Sequence, residues 1–99
     1  MICLKKEPNK SIQLVMVKNK LSALQHAVGG YIEVVPTKLE NVVVICDEEG
    51  RIKGKEHCAT IDGVEFVRTI LIVGVDGEEF TEIPYSEQLA RSVEKWNRS

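Results

Sequence analysis

Four basic side chains at alternate positions raise the first question of chemistry. Arg51, Lys53, Lys55 and His57 lie two residues apart, so on an extended segment all four would project from one face. Converging cationic donors of this kind can hold a phosphate or another anion. The plain alternative is a solvated edge strand, where lysines block association between sheets. A second cluster is Gly29-Gly30-Tyr31 with Glu33. Paired glycines let a ligand approach the main chain closely. Tyr31 could stack on a base, and Glu33 could accept from a base edge or a ribose hydroxyl. Alternatively, Gly29 only caps a helix, Gly30 only turns the chain and Glu33 is an exposed strand residue. Neither G-x-G-x-x-G nor the P-loop pattern occurs.

Other reactive residue types form weaker patterns. Asp47, Glu48 and Glu49 precede Gly50, but calcium loops place their oxygens at alternate positions, so a hairpin turn is the simpler reading. His57-Cys58 contains a base and a nucleophile, yet neighbours on a strand point to opposite faces. His26 lies on a different helical face from Leu24, and no third orienting group is identifiable. Without a paired acid and base, a metal cluster or a cofactor fingerprint, the expectation is a non-catalytic protein with no cofactor and no metal.

The totals narrow the partners. The chain has 99 residues, 43% hydrophobic and 28% charged, with a net charge of −2. This suits one soluble domain and argues against binding a nucleic acid polymer or a membrane surface, which favour a basic excess. The three cysteines, Cys3, Cys46 and Cys58, are odd in number and lack C-x-x-C, so reduced thiols in a cytoplasm are expected. Cys3 and Cys46 fall in apolar strand patterns as small core residues. No apolar run approaches the roughly 18–20 residues that span a bilayer, and no apolar signal core follows the N-terminal lysines.

The elements that must position these residues follow from periodicity. Leu21, Leu24 and Val28 share a helical face, with Asn19 as N-cap and Gly29 in the left-handed C′ position. A strand starts at Tyr31. Residues 2–4 and 12–17 form a hairpin across Glu7-Pro8-Asn9-Lys10. Residues 41–47 are apolar on both faces, which predicts an interior strand. Glu48-Glu49-Gly50 turns into a second arm starting at Arg51, and Asp62-Gly63 turns again. Residues 67–73, VRTILIV, are the candidate central strand. Asp76-Gly77 leads to an exposed strand over 78–83, with Phe80 inward. From Pro84 onward, Leu89, Val93 and Trp96 mark a last helix. The order is β-β-α-β-β-β-β-β-α: one compact α+β domain over residues 1–99, a mainly antiparallel sheet with two helices packed on it.

Three blocks, LQHAVGGYIEVV, VICDEEGRIKG and TILIVGVDGEEFTEI, resemble those of the domain-of-unknown-function family 3846. Its members are small proteins common in bacteriophages and bacterial mobile elements. The resemblance runs from the Glu7-Pro8 turn to the last helix. It departs at residues 53–59, where the family usually has Leu-Pro and an Asn before Ala. It implies a compact α+β domain in a phage or mobile-element setting, and it supplies no established activity and no catalytic residues. The function expected is capture of a small anionic ligand, possibly a nucleotide signal. The ligand site is Gly30, Tyr31, Glu33, Arg51, Lys53, Lys55 and His57, in a homo-oligomer that deepens it. The alternative is a protein–protein module that inhibits or modulates a host protein, through exposed sheet edge or the acidic surface of Glu48, Glu49, Glu78, Glu79 and Glu82.

Overall fold

Strand 42–47 is buried from both sides, and the fold is arranged around it. In the computed structural model, residues 1–53 and 56–99 are described, apart from the side chains of Arg51 and Lys53. The order is β1 (Ile2–Lys6), β2 (Gln13–Met16), α1 (Leu21–Val28), β3 (Ile32–Pro36), β4 (Val42–Asp47), α2 (Gly50–Lys53), β5 (His57–Ile61), β6 (Val64–Val67), β7 (Ile70–Asp76), β8 (Glu79–Thr81) and α3 (Glu87–Asn97). Six strands form one antiparallel sheet in the order β2-β1-β7-β4-β3, with β8 also paired to β7. β5 and β6 form a separate hairpin. This is the expected α+β fold.

Alternation along the central strands builds two cores. On one face Cys3, Ile45, Leu71 and Val73 meet Leu24 and Val28 of α1. On the other, Leu4, Val42, Val44, Ile70 and Ile72 meet Cys58, Ala59 and Phe66 of the hairpin and Leu89 and Trp96 of α3. β4 lies between β3 and β7 in the sheet, which explains its unbroken β-branched run. All three cysteines are buried. α1 ends as expected, with Gly29 left-handed at φ 87° and its N–H donating to the Gln25 carbonyl. Gly74 is required on steric grounds. A Cβ there would collide with the Glu82 main-chain oxygen and come within 3.1 Å of Pro84 Cδ and Thr81 Cγ2.

Several expectations need correction. Lys20, not Asn19, is the N-cap of α1, without a side-chain cap bond; Asn19 Nδ2 instead donates to the Phe80 carbonyl at 2.7 Å. The run 67–73 is not one strand. Arg68 adopts a left-handed φ of 63°, so β6 stops at Val67 and β7 starts at Ile70. Most consequential, no hairpin arm starts at Arg51. Asp47 Oδ1 accepts from the Glu49 N–H at 3.0 Å, and Ile52 N–H donates to the Glu49 carbonyl at 3.0 Å. These bonds wind residues 50–53 into a helical turn instead of an extended arm. Arg51 and Lys53 therefore do not share a strand face with His57. Lys55 lies outside the described residues, as do the Arg51 and Lys53 side chains.

Candidate functional site

Of the residues singled out from the sequence, Glu33 lines a cleft whose walls do not include Gly30, Tyr31 or His57. The cleft holds about 340 Å³ and opens between the β3–β4 edge of the sheet, the α2 turn and the β5–β6 hairpin. Glu33 and Val35 line it from β3, Cys46 and Asp47 from β4, Gly50 and Ile52 from α2, and Glu65, Phe66 and Val67 from β6. Arg51 and Lys53 are carried on that same α2 turn. Tyr31 stands at the rim: its carbonyl accepts from the N–H of Glu48, another lining residue, and the residue is 66% exposed. Gly30 precedes it, its N–H donating to the Gln25 carbonyl at 3.1 Å.

His57 reaches the cleft through Glu65. Its Nδ1 lies 2.9 Å from Glu65 Oε2, and its Nε2 lies 2.9 Å from the main-chain oxygen of Ser99. Both partners are acceptors, and only the imidazolium offers a donor on each ring nitrogen. The Ser99 oxygen, then the Glu65 carboxylate, accordingly raise the His57 pKa above its ordinary value. Cys58 points the other way, as alternation requires. Burial pushes its thiol up to about 11, against a smaller opposing effect of Lys6, and Sγ donates to the Lys6 carbonyl at 3.3 Å. A thiol held in this form is a poor nucleophile. Burial also raises the Cys3 thiol.

One structural pair in the wall has no counterpart in the expected site. Arg68 Nη1 donates to Asp47 Oδ2 at 3.0 Å, and the Asp47 side chain is 1% exposed. The same guanidinium passes over Gly29, where an added Cβ would stand 3.0 Å from Nη2. It thus sits at the C-terminus of α1, where the helix dipole favours a cation. Arg68 ties the hairpin to both the sheet and α1. A single arginine inside the apolar run VRTILIV was the available signal, since a charge there calls for a buried partner. Glu65 and Phe66 carried no comparable signal, because only the hairpin fold brings them opposite Glu33.

The lining can accept hydrogen bonds at Glu33, Glu48 and Glu65 and offers apolar surface at Val35, Val64, Phe66 and Val67. Cys46 Sγ donates weakly to Glu33 Oε1 at 3.9 Å. Among the described residues, no group of His, Cys, Asp and Glu is placed to hold a metal ion, and no helix is long and apolar enough to cross a membrane. On the far edge of the sheet, a groove of about 460 Å³ is apolar instead. Ile2, Leu4, Leu14, Ile83, Tyr85, Leu89, Ala90 and Val93 line it.

Neither a curated protein nor a solved structure matches this chain. A family model does, over residues 1–97, and the chain accordingly belongs to the family described as Domain of unknown function (DUF3846).

Proposed function

We propose that this is a non-catalytic, cytoplasmic binding protein of phage or mobile-element origin, and that the cleft beside β3 captures a small ligand. The carrying observation is convergence: Glu33, Gly50 and Ile52 of the α2 turn, and Glu65, which His57 contacts from behind, are far apart in sequence and border one cavity of about 340 Å³. That volume lies within the range of small-molecule sites. The lining refines the ligand class. Carboxylates at Glu33, Glu48 and Glu65 call for hydrogen-bond donors, such as the exocyclic amine of a base or the hydroxyls of a ribose. The α2 turn has Arg51 and Lys53 in its sequence, so an anionic end on the ligand would suit that side of the cleft. A nucleotide combines both requirements. In a phage setting, sequestering a nucleotide signal of the host is one use for such a site.

Isothermal titration against a panel of mono-, di- and cyclic nucleotides tests this reading. Binding that is lost in Glu33→Gln and in the Arg51→Glu/Lys53→Glu variant supports it. Binding that survives both variants moves the site elsewhere.

The apolar groove on the opposite edge favours a second reading, a protein–protein module. Leu14 is 68% exposed and Tyr85 89% exposed, and such a patch usually marks a contact surface.

A further inference from the structure

β2 is one edge of the sheet. Among the described residues no strand pairs with its outer side. Sheet edges are normally blunted with charge, proline or short length. β3, the opposite edge, carries Glu33 and Pro36, and β8 has only three residues. β2 is short as well, at four residues, but it lacks the other two devices: residues 11–17, SIQLVMV, are uncharged and free of proline. Leu14 and Met16 are 68% and 73% exposed.

The pairing with β1 determines what the outer side offers. Val17 N–H donates to the Met1 carbonyl at 2.9 Å, and Val15 stands opposite Cys3. Odd-numbered residues of β2 therefore bond inward, while the N–H and C=O groups of Leu14 and Met16 face outward. The outward N–H of Ile12 is already used, donating to Asn97 Oδ1 at 2.7 Å. The available edge is thus short and centred on Val15.

We infer that this edge pairs with a second copy of the chain, β2 against β2, antiparallel about a two-fold axis at Val15. Leu14 of each copy then stands opposite Met16 of the other, and their outward groups form two reciprocal pairs of main-chain hydrogen bonds. Leu14 and Met16 are on one face by alternation, so the four side chains close into an apolar cluster beside the groove of Ile83, Tyr85 and Leu89. The match is self-complementary and brings no like charges opposite each other within 14–16. A second copy is therefore the occupant that this edge fits. The inference names the partner of the protein-module reading and is independent of the cleft, which lies at the other edge.

Sedimentation velocity of the full chain over a wide concentration range tests it. The expected result is a monomer–dimer equilibrium for the native chain. Met16→Pro removes an outward N–H that no bond among the described residues uses, and it should weaken association by more than about tenfold. Two further variants test the register. Leu14→Glu/Met16→Glu and Leu14→Lys/Met16→Lys should each be monomeric alone and form a 1:1 heterodimer when mixed. Circular dichroism melts establish that every variant is folded. A native chain that stays monomeric at all concentrations overturns the inference, and so does a dimer that Met16→Pro leaves unchanged. Nucleotide titration of the monomeric variants reports on the cleft separately, so failure of one reading is not mistaken for failure of the other.

Discussion

Replacing Arg68 by methionine should destabilise the domain by about 2–3 kcal/mol, at or just below the roughly 3–5 kcal/mol cost of breaking a fully buried ion pair. The Asp47 side chain is 1% exposed and accepts from Arg68 Nη1 at 3.0 Å. Methionine keeps the apolar length of the arginine stem and removes the guanidinium. Two features hold the cost down. Arg68 is about one-third exposed, so solvent screens part of the attraction. Asp47 Oδ1 also keeps its bond from the Glu49 N–H. For a domain of this length, about 4–8 °C of Tm accompanies each kcal/mol, so the melting point should fall by about 8–24 °C. Thermal and urea melts of the native chain, Arg68→Met, Asp47→Asn and the double variant complete a double-mutant cycle. The double variant should be clearly less destabilised than the sum of the singles, because both remove one interaction. A cost below about 0.5 kcal/mol for Arg68→Met, the scale of an ordinary surface substitution, would refute a structural role for the pair.

Three other outcomes follow from the same contacts. His57 has a raised pKa, so its contribution to stability is complete below about pH 6.5, its ordinary value, and is lost as pH rises through the folded value. Melts of the native chain and His57→Gln should therefore converge as pH rises from about 6 to 9; a constant gap contradicts the assignment. Cys58, with its thiol pushed up to about 11, and buried Cys3 should resist Ellman's reagent at pH 8 in the folded protein, whereas all three thiols react in guanidinium. Rapid native-state labelling of Cys58 would show that the hairpin does not seal it. Gly74→Ala should cost at least about 1–3 kcal/mol in urea melts, since the colliding Glu82 oxygen is main chain and cannot rotate away; a neutral result would mean that β7 and the 82–84 segment separate freely.

Much of this fold was legible because its signals are local. The Leu21/Leu24/Val28 face and Gly29 are contained within nine consecutive residues, and the two-sided apolar character of 42–47 already implied neighbours on both sides. What was hidden depends on contacts between distant residues. The departure at Arg51 comes from Asp47 bending the chain back on itself, and that aspartate is held in place by Arg68, 21 positions away. The same arginine interrupts a run that periodicity alone joined into one strand. Asn19 looked like a helix cap but bonds to Phe80, a residue that only the β7–β8 hairpin brings near. For the cleft, Glu33 was singled out by residue type, whereas Arg51 and Lys53 were singled out on an extended arm and not on the α2 turn that carries them. Glu65 was not singled out, because its importance arises from the hairpin that sets it against His57 and across from Glu33.

The central claim is that the cleft beside β3 captures a small ligand. Native mass spectrometry of the protein purified directly from the cells that naturally produce it tests this most directly. The account predicts a retained small mass that denaturation releases and that Glu33→Gln and Arg51→Glu/Lys53→Glu both abolish. An apo spectrum under those conditions, from a folded protein that also ignores every nucleotide in titration, would contradict it.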